Sequence, residues 1–219
     1  MRTCDSLSID PHKLGYVPYA SGAFLCREKR NYYLQSVDAP YLAFEGPHER
    51  GPQTLEGSRS AAGAVATWLT ARTIGLDANG YGRILGRTVE NRRQLESRLR
   101  SMPGIRVAPG CATNVLGFSV ARSGESLVSS NARTLRIRGE LPKGEMDPFY
   151  VSGTRLQREA YGTFLERHLA SWSAEVDDDG LELIRIVLMN PFFSTKETHV
   201  SYRDEFIAKL ERLMKENFK

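Results

Sequence analysis

Ser6-Leu7-Ser8-Ile9 alternates polar and apolar residues and is cut off by Asp10-Pro11, and this break constrains the fold of the 219-residue chain more than any other local feature. Alternation at period two predicts a short strand, and proline has no N–H to give to a ladder, so pairing must stop there. The residues that follow, His12-Lys13-Leu14-Gly15-Tyr16-Val17-Pro18-Tyr19, are punctuated by glycine and proline and predict a turn. Lys13 is therefore expected at a strand exit with an imidazole as its direct neighbour in sequence. An amine so placed has the makings of a Schiff-base lysine, provided its surroundings favour the neutral, nucleophilic form. An isolated His-Lys pair is ordinarily a solvated surface pair, so the reading depends on what accompanies it.

A second motif lies downstream. Gly57-Ser58-Arg59-Ser60 leads into the small-residue run Ala61-Ala62-Gly63-Ala64, and a helix is expected to run to about Thr73. Free N–H groups at a helix start, together with a hydroxyl and a guanidinium, make an oxyanion or phosphate clamp. Ser58 also suits a plain N-cap, and the two roles are compatible. Between the motifs, residues 45–52 are rich in glycine and proline and read as a loop.

Asp5-Ser6, Asp10-Pro11-His12-Lys13 and Tyr16-Val17-Pro18-Tyr19-Ala20-Ser21-Gly22 stand in one short window, in an order that resembles the cofactor-attachment segment of the group II pyridoxal-phosphate amino-acid decarboxylases. The Gly57-Ser58-Arg59 turn resembles that family's second marker. The resemblance extends over nearly all of the chain. It implies an α/β fold of type I: residues 1–104 as the C-terminal part of a cofactor-binding large domain, and 105–219 as a small α+β domain. It implies pyridoxal 5'-phosphate held by Lys13, with His12 contacting its phosphate. Ser58 is expected to reach the phosphate of a neighbouring subunit, with Arg59 orienting, and Tyr19 or Tyr41 to lie near cofactor or substrate. In the animal aromatic-amino-acid decarboxylases the loop matching 45–52 carries a tyrosine that protonates the carbanion. No tyrosine occurs here from His48 through Asn79, which makes His48 the candidate proton donor. The expected reaction is decarboxylation of an L-amino acid, aromatic by overall resemblance. The changed proton donor opens aldehyde formation as the alternative.

The remaining sequence supports such a layout. The segment 83–100 is a helical pattern with Ile84, Leu85, Val89, Leu95 and Leu99 on one face. Its arginines, 83, 87, 92, 93, 98 and 100, are expected on a solvated face; without interleaved aromatic residues they do not read as a nucleic-acid surface. Strands are expected over 105–108, 114–120, 149–156 and 181–188, and helices over 126–136 and 196–216. Cys4, Cys26 and Cys111 lack the spacing of a zinc site or a disulfide framework, so no metal is expected. The formal charge of +4 is modest, no apolar run approaches the ~20 residues that span a bilayer, and no signal-peptide pattern opens the chain, so a cytoplasmic protein is expected.

A fold type I enzyme also uses groups upstream of its lysine: a phosphate-cradling loop, a ring-stacking residue and an Asp facing the pyridine nitrogen. The resemblance therefore implies a complementary N-terminal decarboxylase chain, in a dimer of such heterodimers. An open sheet edge and uncovered apolar faces would drive that association. A non-catalytic interaction or regulatory subunit is the competing reading.

Overall fold

The computed structural model describes residues 3–36, 59–144, 149–194 and 201–218; Tyr41, His48 and Ser58 lie outside them. The chain divides into two compact units, Met1–Gly82 and Arg83–Lys219.

In the first unit, β1 (Ser6–Ile9) and β2 (Ala23–Cys26) pair antiparallel, with Ser6 opposite Cys26 and Ile9 opposite Ala23. The expected strand is present and stops at Asp10, so the lysine turn is the connection between β1 and β2. A 3₁₀ segment, Lys29–Gln35, follows, and helix α1 spans Ala62–Ile74. Ala61 occupies the N-cap position without a side-chain cap, and the Ala62 N–H donates to Ser60 Oγ at 3.2 Å. Among the described residues of this unit Val17 and Ser21 are the buried ones. Leu7, Ile9, Phe24, Leu25, Trp68 and Leu69 are exposed. A two-stranded sheet with so little covered apolar surface does not supply a core of its own.

The second unit is built on a four-stranded antiparallel sheet of order β3-β4-β6-β5, formed by Ile105–Val107, Val115–Val120, Gly180–Val187 and Ser152–Gln157 respectively. Strand periodicity sends Ile105, Val107, Leu116, Phe118, Val120 and Ile184 into one core. There they meet Leu95 and Leu99 of α2 (Tyr81–Arg100), Ile137 of α3 (Leu127–Glu140) and Phe206 and Leu210 of α5 (Tyr202–Asn217). Leu156, Leu181 and Leu183 join a second core with Leu165 and Leu169 of α4 (Arg158–Ala170) and with Trp172. Ser126 caps α3 by accepting from the Ser129 N–H at 3.2 Å, and Ser201 caps α5 by accepting from Asp204.

Two expectations need correction. The basic face of α2 is not uniformly solvated: Arg92 is buried, its Nε donates to the Thr113 carbonyl at 3.1 Å, and its guanidinium pairs with Glu96. Helix α4 has no counterpart in the sequence reading, because Gly162, at φ 34°, breaks the helical path inside it.

Candidate active site

The turn carrying Lys13 is fastened by backbone hydrogen bonds from Lys13 N to Asp10 O (3.0 Å), Tyr16 N to Lys13 O (3.1 Å), Val17 N to Pro11 O (3.2 Å) and His12 N to Ser21 O (3.3 Å). Gly15 is required by closeness: a Cβ there would lie 2.5 Å from the Pro11 carbonyl oxygen. The Tyr81 hydroxyl donates to Gly15 O at 2.6 Å and ties the turn from outside. Ser21 Oγ donates to the Gly63 carbonyl at 3.2 Å and lies 2.7 Å from Thr67 Oγ1. A Cβ on Gly63 would stand 2.1 Å from Ala20 O, so the start of α1 rests directly on the Tyr19–Ser21 backbone. The lysine turn and the helix that follows the Gly57-Ser58-Arg59 motif in sequence are thus brought together, although more than 40 residues separate them.

Lys13 Nζ lies 2.5 Å from Asp10 Oδ2, with 59% of the lysine side chain exposed. That hydrogen bond raises the Lys13 pKa above the usual amine range and lowers that of Asp10 below the usual carboxylate range. The sequence reading asks for an environment favouring the neutral amine, and the structure shows the reverse. Desolvation, which favours the neutral form, is the weaker influence at this exposed position, and the carboxylate wins. His12 Nδ1 is hydrogen-bonded to the Ser21 carbonyl, which only accepts, so Nδ1 carries a proton. Nε2 then donates to an anion only from a doubly protonated ring. The imidazole stacks on Tyr19, with ring centroids 4.4 Å apart.

A cavity of about 1130 Å³ opens beside this turn, lined by Asp10, Tyr19, Ser21, Arg59, Ser60 and Trp68 among others. Lys13 and His12 are not in its lining; the Lys13 ammonium is bonded to Asp10, which is, and Arg59 and Gly63, in the first turn of α1, lie in the lining as well. An amine bonded to the lining, a guanidinium and a helix N-terminus at one cavity suit a phosphate monoester carrying an aldehyde, whereas the His12 Nδ1–H is already committed to the Ser21 carbonyl. Of the residues expected at the site, His12, Lys13 and Tyr19 come together, whereas Ser58 and His48 lie outside the described residues. Asp10 as the lysine's partner, and Thr67 and Tyr81 as anchors of the turn, were not singled out from sequence. Only the i,i+3 spacing of Asp10 and Lys13 carried a readable signal.

No protein-family model matches the chain. It is 26% identical over 238 residues to an L-tyrosine decarboxylase of Enterococcus faecium, covering 98% of this chain and 38% of that protein. It is 33% identical over 134 residues to an L-aspartate decarboxylase of Thermococcus kodakarensis, covering 61% of this chain and 32% of that protein. Among solved structures, Oryza sativa TDC with PLP and tryptamine superposes with a TM-score of 0.68 at 14% identity, covering 99% of this chain and 39% of that one. The glutamate decarboxylase domain from Vibrio parahaemolyticus gives 0.62 at 15%, covering 97% and 35%.

The fold is accordingly that of the C-terminal part of a fold type I α/β enzyme. The sequence is similar to the corresponding portion of the group II amino-acid decarboxylases, as the lysine segment implied, and the chain spans between about a third and two-fifths of the length of these relatives.

Proposed function

We propose that the chain is the lysine-bearing C-terminal part of an amino-acid decarboxylase. In this reading it converts an L-amino acid, aromatic in the first instance, into the amine and carbon dioxide together with a complementary N-terminal chain. The observation that carries the reading is the seating of His12 and Lys13 in one fastened turn against the start of α1, beside a cavity whose donors suit a phosphate and an aldehyde. Pyridoxal phosphate, when bound, supplies that aldehyde and a ring that takes up the electron pair left as the substrate carboxylate departs. The chain's own residues do the rest. Lys13 yields its proton and holds the cofactor, and its amine is freed for acid–base work when the substrate displaces it. His12 contacts the phosphate, Ser58, oriented by Arg59, reaches the phosphate of a neighbouring unit, and Tyr19 borders the substrate. His48 is the proposed proton donor. Residues 1–104 belong to the large domain and 105–219 to the small one, in a cytoplasmic dimer of two-chain units. The exposed apolar residues of β1, β2 and α1 support the need for a covering partner.

A second reading, decarboxylation with aldehyde formation, rests on the absence of a tyrosine between His48 and Asn79. One experiment separates them. The assembled protein is incubated with pyridoxal phosphate, reduced with borohydride and peptide-mapped, and carbon dioxide release is followed with L-tyrosine and with L-aspartate. An adduct on the Lys13 peptide, carbon dioxide with accumulating amine, and loss of both in Lys13→Ala are expected. Carbon dioxide with aldehyde and ammonia selects the second reading. Absence of adduct and of carbon dioxide with either substrate leaves the non-catalytic interaction subunit.

A further inference from the structure

The second unit holds a cavity of about 800 Å³ whose lining includes Arg100, Arg106, Phe164, Arg167, His168 and Ser171 and, among the described residues, no carboxylate. Three elements bring the cations there: Arg100 ends α2, Arg106 sits on β3, and Arg167 and His168 lie in the last turn of α4. Arg106 donates through Nε to the Ala121 carbonyl and sets its guanidinium 5.7 Å from the Trp172 ring centroid, with no acidic partner among the described residues. Arg167 is exposed and likewise has none. Arg100 does pair with Glu96 at 2.7 Å, but Glu96 is shared with Arg92 and so leaves net positive charge behind the wall. His168 is 7% exposed, and its Nε2 is buried with no hydrogen-bond partner among the described residues. A buried imidazole nitrogen without a partner, close to the charges of Arg100 and Arg106, is costly.

We propose that this cavity binds a small oxyanion, a phosphate monoester or a dicarboxylate, held by Arg106 and Arg167, with the His168 ring in its lining sensing the bound charge. Guanidiniums suit such ligands because their planar forks match paired oxygens. Burial and the nearby charges of Arg100 and Arg106 together hold His168 below the usual imidazole range. The charged groups acting on the ring are Arg100 from α2 and Arg106 from β3, and Arg167 lines the same cavity from the preceding helical position, all cationic. A bound anion offsets that repulsion and favours the protonated ring, so the imidazole reports directly on occupancy. The site lies wholly within the second unit and does not rest on the decarboxylase reading.

The test is a titration of the 219-residue protein, at fixed pH and ionic strength, with inorganic phosphate and separately with succinate, followed through the histidine ring resonances. The His168 signals are identified by their loss in His168→Gln. A saturable shift of those signals is expected, with its midpoint raised about tenfold in Arg167→Gln, the loss of one charge-assisted contact. Arg167 is exposed and outside the core, so that variant retains the fold. A response to phosphate alone assigns a phosphate ligand, and a response to succinate alone assigns a carboxylate; a response to both supports the oxyanion site as stated. His168 signals that move with neither ligand, or that move alike in wild type and Arg167→Gln, overturn the proposal. A shift confined to the His12 signals locates binding in the first unit and overturns it as well.

Discussion

Gly63→Ala tests whether α1 positions the lysine turn. The added Cβ would stand 2.1 Å from Ala20 O and 3.2 Å from both Ala20 C and Ser21 Cβ. Two of these three atoms are backbone, so the clash is not relieved by a rotamer change. Restoring an ordinary contact needs about 1 Å of separation between α1 and the Tyr19–Ser21 segment, and overpacking of this kind costs about 1–3 kcal/mol. The same displacement pulls Ser21 from Gly63 O and Thr67 Oγ1, and with it the carbonyl that holds His12 Nδ1. A misplacement of that size at reacting groups lowers turnover on the order of a hundredfold. The assay pairs amide hydrogen exchange at residues 12–22 with borohydride trapping at Lys13. Faster exchange in that segment and reduced trapping are expected, while Gly86→Ala, in α2 with nothing within 4 Å of its Cβ, leaves both unchanged and raises stability by about 1 kcal/mol. Wild-type exchange and trapping in Gly63→Ala would refute the coupling of helix to turn.

Two further outcomes are expected. Asp10→Asn removes the carboxylate that raises the Lys13 pKa, so the pH profile of Lys13 modification by an amine-reactive reagent moves to lower pH; an unmoved profile means the pair does not form in solution. Asp178 is opposed by burial, but Asn131 and Arg155 outweigh it and hold its carboxyl near about 2, below its ordinary 3.8. A depressed folded-state pKa stabilises the fold above the unfolded value, and that stability is lost as pH falls through the folded one. Wild-type stability should therefore decline from about pH 4 toward pH 2 more steeply than that of Asp178→Asn, measured by urea unfolding at each pH.

What sequence made legible was short-range. The strand at 6–9, its stop at Asp10-Pro11 and the lysine at its exit all follow from adjacent residues, as do the helix beginning near 126 and the apolar strand near 181–187. What escaped it depends on partners far along the chain. Arg92 falls on the polar side of a helical wheel, yet it is buried because the Thr113 carbonyl and Glu96 together satisfy its guanidinium, and periodicity does not encode that pairing. Tyr81 and Thr67 carry no motif, but 66 and 46 residues from their partners they set where the Lys13 turn stands. The chemical requirement on Lys13 shows the same division. Residue type and turn place an amine correctly, whereas its protonation depends on what surrounds it, and here the nearest charge is Asp10, three residues back. An amine held charged by a neighbouring carboxylate attacks a carbonyl only after that pairing is broken or outweighed. Under the proposed decarboxylase function, activation of Lys13 is therefore a step of its own, and the Asp10–Lys13 ion pair is the contact that step displaces.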